Sequence, residues 1–218
     1  MKINNWNGVP IALYNELMDI LRMDYPTEWE RDINIIALLE GIDVDEIYDW
    51  EITKVKKYRE ELVWLNEFNF DKHFNSKKIT IANKTYNLNV DSNTMTTAQY
   101  IDFQIYWGKE DRGKYLPEIL ACFIVPQNSK YNDGSYDLEE LINLIRNTIS
   151  IALANSICFF FLKKWMTSLA ATACYGVIRM KKTMRKEKNK EKKEEMKKKL
   201  EEMTKQAQIL VGYHSLIQ

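Results

Sequence analysis

Apolar residues recur every three to four positions through most of the chain, and the few departures from that spacing mark where helices end. Ile11, Tyr14, Leu17, Met18 and Leu21 follow Pro10 at helical spacing and predict a first helix with one buried face. Thr27 and Glu30 form a capping-box pair ahead of Ile33, Ile36, Ala37 and Leu39, and Gly41 supplies a stop. Asp43 to Tyr48 reads as a short capped turn of helix. Thr53 to Phe68 reads as a longer helix carrying Val55, Tyr58, Leu62 and Leu65.

The period changes to two at Lys78. Ile79, Ile81, Tyr86, Leu88 and Val90 alternate with polar residues around Ala82-Asn83, which predicts a two-stranded hairpin over about residues 78–90. A lone hairpin is marginal in water, so it must pack on the helices or pair with another chain. Thr96 and Gln99 form a further capping box, opening a helix through Tyr100, Ile101, Phe103, Ile105 and Trp107 to Gly108. Lys109 to Lys114 is expected to be a loop, Pro117 to Val125 an apolar helix closed by Pro126, and Asn128 to Ser135 an exposed turn-rich excursion. Asp137 with Glu140 caps a helix to about Thr148, and a long apolar helix follows from Ile149 to Ile178. The expected fold is mainly α with one small β-hairpin: a compact helical body over residues 1–178, then a long charged C-terminal helix over 179–218.

Composition fits a folded chain, since 218 residues with 45% hydrophobic and 12% aromatic residues can fill a core of one domain or two small ones. The charge is zero overall, 31 basic against 31 acidic, but it is not evenly spread. Arg179 to Gln206 holds thirteen Lys/Arg and six Glu with no Gly or Pro, so the arm is +7 and the rest −7. Its pairs Glu194 to Lys198, Glu195 to Lys199 and Glu201 to Lys205 each favour a helix by about 0.2–0.5 kcal/mol. As one helix, Arg179 to Val211 would reach about 50 Å at roughly 1.5 Å per residue. Met196, Leu200, Met203, Ala207 and Leu210 form a short apolar seam suited to a partner, and Arg179, Lys181, Lys182, Arg185 and Lys186 begin the basic stretch.

Candidate chemistry is sparse. The seven glycines assemble neither GxGxxG nor GxxxxGK[ST], which excludes nucleotide cradling by those loops, so no cofactor is expected. His73 and His214 have no carboxylate or cysteine at metal spacing. Asp43, Asp45, Glu46, Asp49 and Glu51 lack the glycine and closing Glu of an EF-hand and read as capping and solvated groups. Asn132-Asp133-Gly134-Ser135 reads as an ordinary turn. No metal or catalytic site is expected, and the chain reads as a non-enzyme. Cys122, Cys158 and Cys174 sit in apolar surroundings without ligand spacing and are expected to be buried, in a reducing interior. Phe159-Phe160-Phe161 with Trp165 suits core or subunit interface. Ile149 to Leu162 gives fourteen uncharged residues before Lys163-Lys164, short of the roughly twenty that span lipid, and the N-terminus lacks the apolar core of a signal peptide. A cytoplasmic product with no membrane partner is expected. Nucleic-acid binding by the arm is weakened by its six glutamates and by the lack of an aromatic between Arg179 and Gln206. Protein docking is therefore favoured for the arm.

Ile36-Ala37-Leu38-Leu39-Glu40-Gly41, then Asp45-Glu46-Ile47-Tyr48-Asp49 and Glu61-Leu62-Val63-Trp64-Leu65, resemble the N-terminal part of small phage neck and tail-assembly proteins. Lys84-Thr85-Tyr86-Asn87-Leu88 with Thr96-Thr97-Ala98-Gln99-Tyr100-Ile101-Asp102 is similar to a hairpin-then-helix pattern in phages of gut Bacteroidetes, crAss-like phages included. Ile119-Leu120-Ala121-Cys122-Phe123, Pro126 and Lys130-Tyr131-Asn132 extend the resemblance, which covers about residues 11–162 and leaves out the arm. It implies a structural protein of the virion, made in the host cytoplasm. One role would be a ring-forming subunit at the portal, neck and tail junction, contacting its own copies, the portal or other tail proteins. The alternatives are a tail-assembly chaperone and an accessory protein that binds nucleic acid through the basic arm.

Overall fold

In a computed structural model, the structure describes residues 2–92 and 94–217, without the side chains of 210–217. The chain is 64% helical with a small three-stranded antiparallel sheet and a long C-terminal helix, mainly α with minor β. It divides into two compact units: residues 1–89 with 94–158, and residues 159–218 with 90–93. The boundary therefore falls after Cys158, twenty residues before the expected body-to-arm junction.

In the first unit, α1 (Ile11–Arg22) and α2 (Glu28–Glu40) pack together. The Glu30 N–H donates to Thr27 Oγ1 (3.2 Å), and Gly41 closes α2 in the left-handed conformation at φ 66°, where a Cβ would be strained. The short α3 (Val44–Tyr48) has a reciprocal capping box. The Asp45 N–H donates to Asp43 Oδ1 (2.9 Å) and the Asp43 N–H to Glu46 Oε1 (3.3 Å). Two of the five acidic residues in that cluster are thus engaged in capping. α4 (Ile52–Glu61) ends earlier than its apolar spacing predicts and tightens into a 3-10 turn over Leu62–Asn66. Trp6, Leu17, Ile35, Ile36, Ile47, Val55 and Ile151 are buried in one cluster, so the start of the eighth helix completes a core built mostly from the first four. Asp32, at the edge of that core, accepts from Arg59 Nε (2.8 Å) and Arg31 Nη2 (3.1 Å) while the Arg59 guanidinium lies 3.9 Å from the centre of the Trp29 ring.

β1 (Lys78–Ile81) and β2 (Lys84–Leu88) pair antiparallel about the expected Ala82-Asn83 turn, with Ile81 opposite Lys84. The turn residues Ala82 and Asn83 have φ of 45° and 63°, a twist matched to the strands. The sheet has a third member, β3 (Ile124–Pro126), paired with β2. The predicted apolar helix from Pro117 to Val125 is corrected accordingly: α6 covers only Leu116–Ala121, because Asn89 takes the Phe123 carbonyl (2.8 Å) and draws the following residues into the sheet. α5 (Thr97–Trp107) has both halves of its capping box, Gln99 N–H to Thr96 Oγ1 (3.2 Å) and Thr96 N–H to Gln99 Oε1 (2.9 Å). α7 (Leu138–Thr148) is capped by Asp137, packs on α1 and α6, and sends Arg146 Nη2 to Glu118 Oε1 (3.0 Å). The chain then turns directly into α8 (Ile151–Lys186), whose first residue donates its N–H to the Val9 carbonyl (2.8 Å).

α8 runs eight residues past the predicted end at Ile178, through the first part of the charged segment. A break over 187–189 separates it from α9 (Lys190–Ile217).

Candidate interaction surfaces

The second unit is a helical hairpin. At its turn the Asn189 side chain accepts from the N–H groups of Glu191 (2.9 Å) and Lys192 (3.2 Å), capping α9. The Asn189 N–H donates to Glu187 Oε1 (2.9 Å). The continuous arm helix expected from Arg179 to Val211 is thus corrected to two antiparallel helices. The signal was present in the sequence: an N-cap residue with Glu two places on, inside Arg185 to Glu195, a run with no apolar residue to hold a helix against anything.

The apolar seam predicted for a foreign partner is occupied by the chain itself. Leu200 and Ala207 of α9 are buried with Val177 of α8, and Met203 packs with Ala173, Met180 and Met184 around them. Gly176 permits the close approach, since a Cβ there would lie 3.0 Å from the Met203 Cε. Met196 is half-buried beside Arg179, Met180 and Thr183 at a groove of about 550 Å³. Leu210 lies outside the described side chains, as does His214; His73 is exposed, with its backbone N–H on Asp71 Oδ1 (2.8 Å). The basic residues Arg179, Lys181, Lys182, Arg185 and Lys186 are all exposed on the last two turns of α8.

The cysteines divide three ways, and the expectation that all are buried is corrected at Cys174, which is exposed on α8. Burial pushes the Cys122 thiol up to about 12, against the opposing side-chain contact with Tyr131, and burial likewise pushes the half-buried Cys158 up to about 12. Because the thiolate is the nucleophile, brief treatment of the native protein with iodoacetamide at neutral pH is expected to alkylate Cys174 alone. Peptide mass spectrometry checks this. Modification of Cys122 without denaturant would contradict the burial.

In the first unit, α5 is apolar on both sides. Inward, Phe103 is fully buried, and the Gln99 side-chain amide donates to the Cys122 carbonyl (2.9 Å). Asp102, beside them, accepts from the Tyr131 hydroxyl (2.9 Å). Burial raises the Tyr131 pKa, with Cys122 and Asp102 adding to the shift, so the phenol stays protonated and acts as the donor. Outward, Ala98, Ile101 and Ile105 recur at three and four along one line, all exposed; Ile101 and Ile105 are 51% and 52% accessible. A helix face of this kind with no covering element in its own unit is what protein contact surfaces present.

The sequence matches no protein-family model, and no curated protein or solved structure matches it. Among the described residues no group of three or more His, Cys, Asp or Glu is placed to hold a metal ion. α8 is long enough and apolar enough, by length and composition, to cross a membrane, and 17% of its most apolar stretch is buried.

Proposed function

We propose that this chain is a non-enzymatic structural protein of a phage particle, a ring-forming subunit at the portal, neck and tail junction that makes its contacts through the outer face of α5. Two things support it: the resemblance over residues 11–162, and the line of Ala98, Ile101 and Ile105 on a helix held by a double-sided cap and a buried amide. The α5 line is the observation that carries the proposal. A large apolar side chain exposed singly is ordinary, whereas several on one rigid helix line form a surface that desolvates as a unit. The arm no longer contributes reach to this role, because its seam is closed within the chain.

Quantitative mass spectrometry of purified particles of the encoding phage should find the protein in multiple stoichiometric copies. With Ile101→Asp and Ile105→Asp together, incorporation should be lost while circular dichroism of the isolated protein is unchanged. A protein absent from mature particles but bound to unassembled tail protein would show the chaperone role instead.

A further inference from the structure

We infer that the helical hairpin of residues 159–217 docks on the surface of an anionic lipid bilayer, basic tip and apolar α8 line together. Residues 179–193 at the tip carry nine Lys/Arg against two Glu, net +7 within the two facing helix ends and their turn. The arrangement opposes local electrostatics. The first turn of α9, where backbone N–H groups and the helix dipole favour anions, holds Lys190, Lys192 and Lys193 against one Glu. Among the described residues no acidic group of the hairpin pairs with these cations, so the charge is suited to a polyanionic partner.

The apolar line on the same helix decides which polyanion. Tyr175 and Ile178 are 66% and 52% exposed, and with Lys182 and Arg185 they recur at three, four and three, so two apolar and two basic side chains project in one line. Tyr175 and Ile178 belong to the uncharged run Trp165 to Ile178, which leads directly into the basic tip. An apolar line continuous with a cluster of basic residues is the pattern of a helix at a lipid interface, the cations on headgroups and the apolar side chains in the acyl boundary. Duplex or single-stranded nucleic acid would use the cations but not the apolar line, and no aromatic lies between 179 and 206 to stack on a base. A second copy would set one +7 tip against another wherever the tips approach. Although α8 as a whole meets the length and composition needed to cross a membrane, the uncharged run next to the tip is only fourteen residues, about 21 Å at 1.5 Å per residue against a hydrocarbon core of roughly 30 Å, and Lys163-Lys164 precede it, so this part of the helix is suited to lying on the bilayer.

Flotation of the full chain with vesicles tests the inference. The protein should float with vesicles of phosphatidylcholine plus phosphatidylserine at low salt, stay behind with phosphatidylcholine alone, and be released by added salt. Lys182→Gln with Arg185→Gln should lower partition onto the anionic vesicles about 30-fold, the effect of removing two cations near a charged leaflet. Tyr175→Ser with Ile178→Ser should lower it about tenfold or more while leaving the salt dependence in place. All four side chains are exposed, so circular dichroism of the variants should match the parent. Equal flotation with both vesicle types, no flotation with either, or variants that partition like the parent would overturn the inference. So would binding to a DNA duplex with a steep salt slope and no flotation, or a dimer dissolved by Tyr175→Ser without any lipid binding.

Discussion

Phe103→Ala is expected to destabilise the first unit by about 3 to 5 kcal/mol, because it deletes a fully buried ring and leaves its neighbours a cavity they cannot fill. Phe103 stacks on Trp107 at 5.5 Å between ring centroids and meets Phe123 at 5.6 Å, so two further aromatics each lose a ring contact. The same helix turn carries the Gln99 amide bond to the Cys122 carbonyl and the Asp102 acceptor of Tyr131, polar contacts that need α5 held at one distance. Since small domains are stable by only about 5 to 15 kcal/mol, the loss is a large fraction of the total. Urea unfolding followed by near-ultraviolet circular dichroism should show the midpoint falling with little change in slope. Ile101→Ala, two residues away on the outward line, should cost within about 0.5 kcal/mol. Equal costs at 103 and 101 would mean that the inward and outward faces of α5 are wrongly assigned.

That contrast marks the limit of what the sequence makes legible. The caps at Thr27, Asp43, Thr96 and Asp137 are local chemistry, a side-chain acceptor two or three residues from the N–H it serves, and each is where the residues predict it. Ala82-Asn83 is legible for the same reason. Which face of α5 is buried is not, because Tyr100, Ile101, Phe103, Ile105 and Trp107 surround the helix and periodicity cannot choose among them. β3 is hidden for a different reason. Ile124 and Val125 extend the apolar run begun at Pro117, and only their pairing with Asn87 and Leu88, far away in sequence, makes them a strand. The α5 surface shares this limit: its residues are all visible, but their exposure is decided by what α6 and the Cys122-Phe123 segment do beneath them.

The charged segment divides into two helices for a physical reason. High charge and the absence of Gly and Pro describe a sequence able to be helical, and say nothing of whether one helix or two results. What decides is burial: Met196, Leu200, Met203 and Ala207 need an apolar face, and the nearest is that of Ala173, Val177, Met180 and Met184 on the same chain, reached by reversing at Asn189. Intramolecular docking also has the higher effective concentration, since a three-residue turn keeps the two faces together at all times.

Leu200→Glu should therefore open the hairpin without unfolding the first unit. Among the described residues Leu200 is one of three buried apolar residues in the seam, and burying a leucine side chain contributes about 1.5 to 3 kcal/mol. Replacing it removes that contribution and adds a carboxylate facing Val177, whose unpaired burial costs more than the remaining Val177, Ala207 and methionine contacts can supply. Amide hydrogen exchange should show protection in α9 falling to that of an isolated helix, with α8 from about residue 173 onward also less protected. Protection in α1, α2 and α7 should be unchanged, because their core is built from Leu17, Ile35, Ile36, Ile145 and their neighbours within the first unit. Met203→Leu, which keeps the volume and apolar character of the seam, should leave α9 protected. Loss of protection throughout the chain would mean that the hairpin supports the first unit; unchanged protection in α9 would mean that the seam at Leu200 does not hold the two helices together.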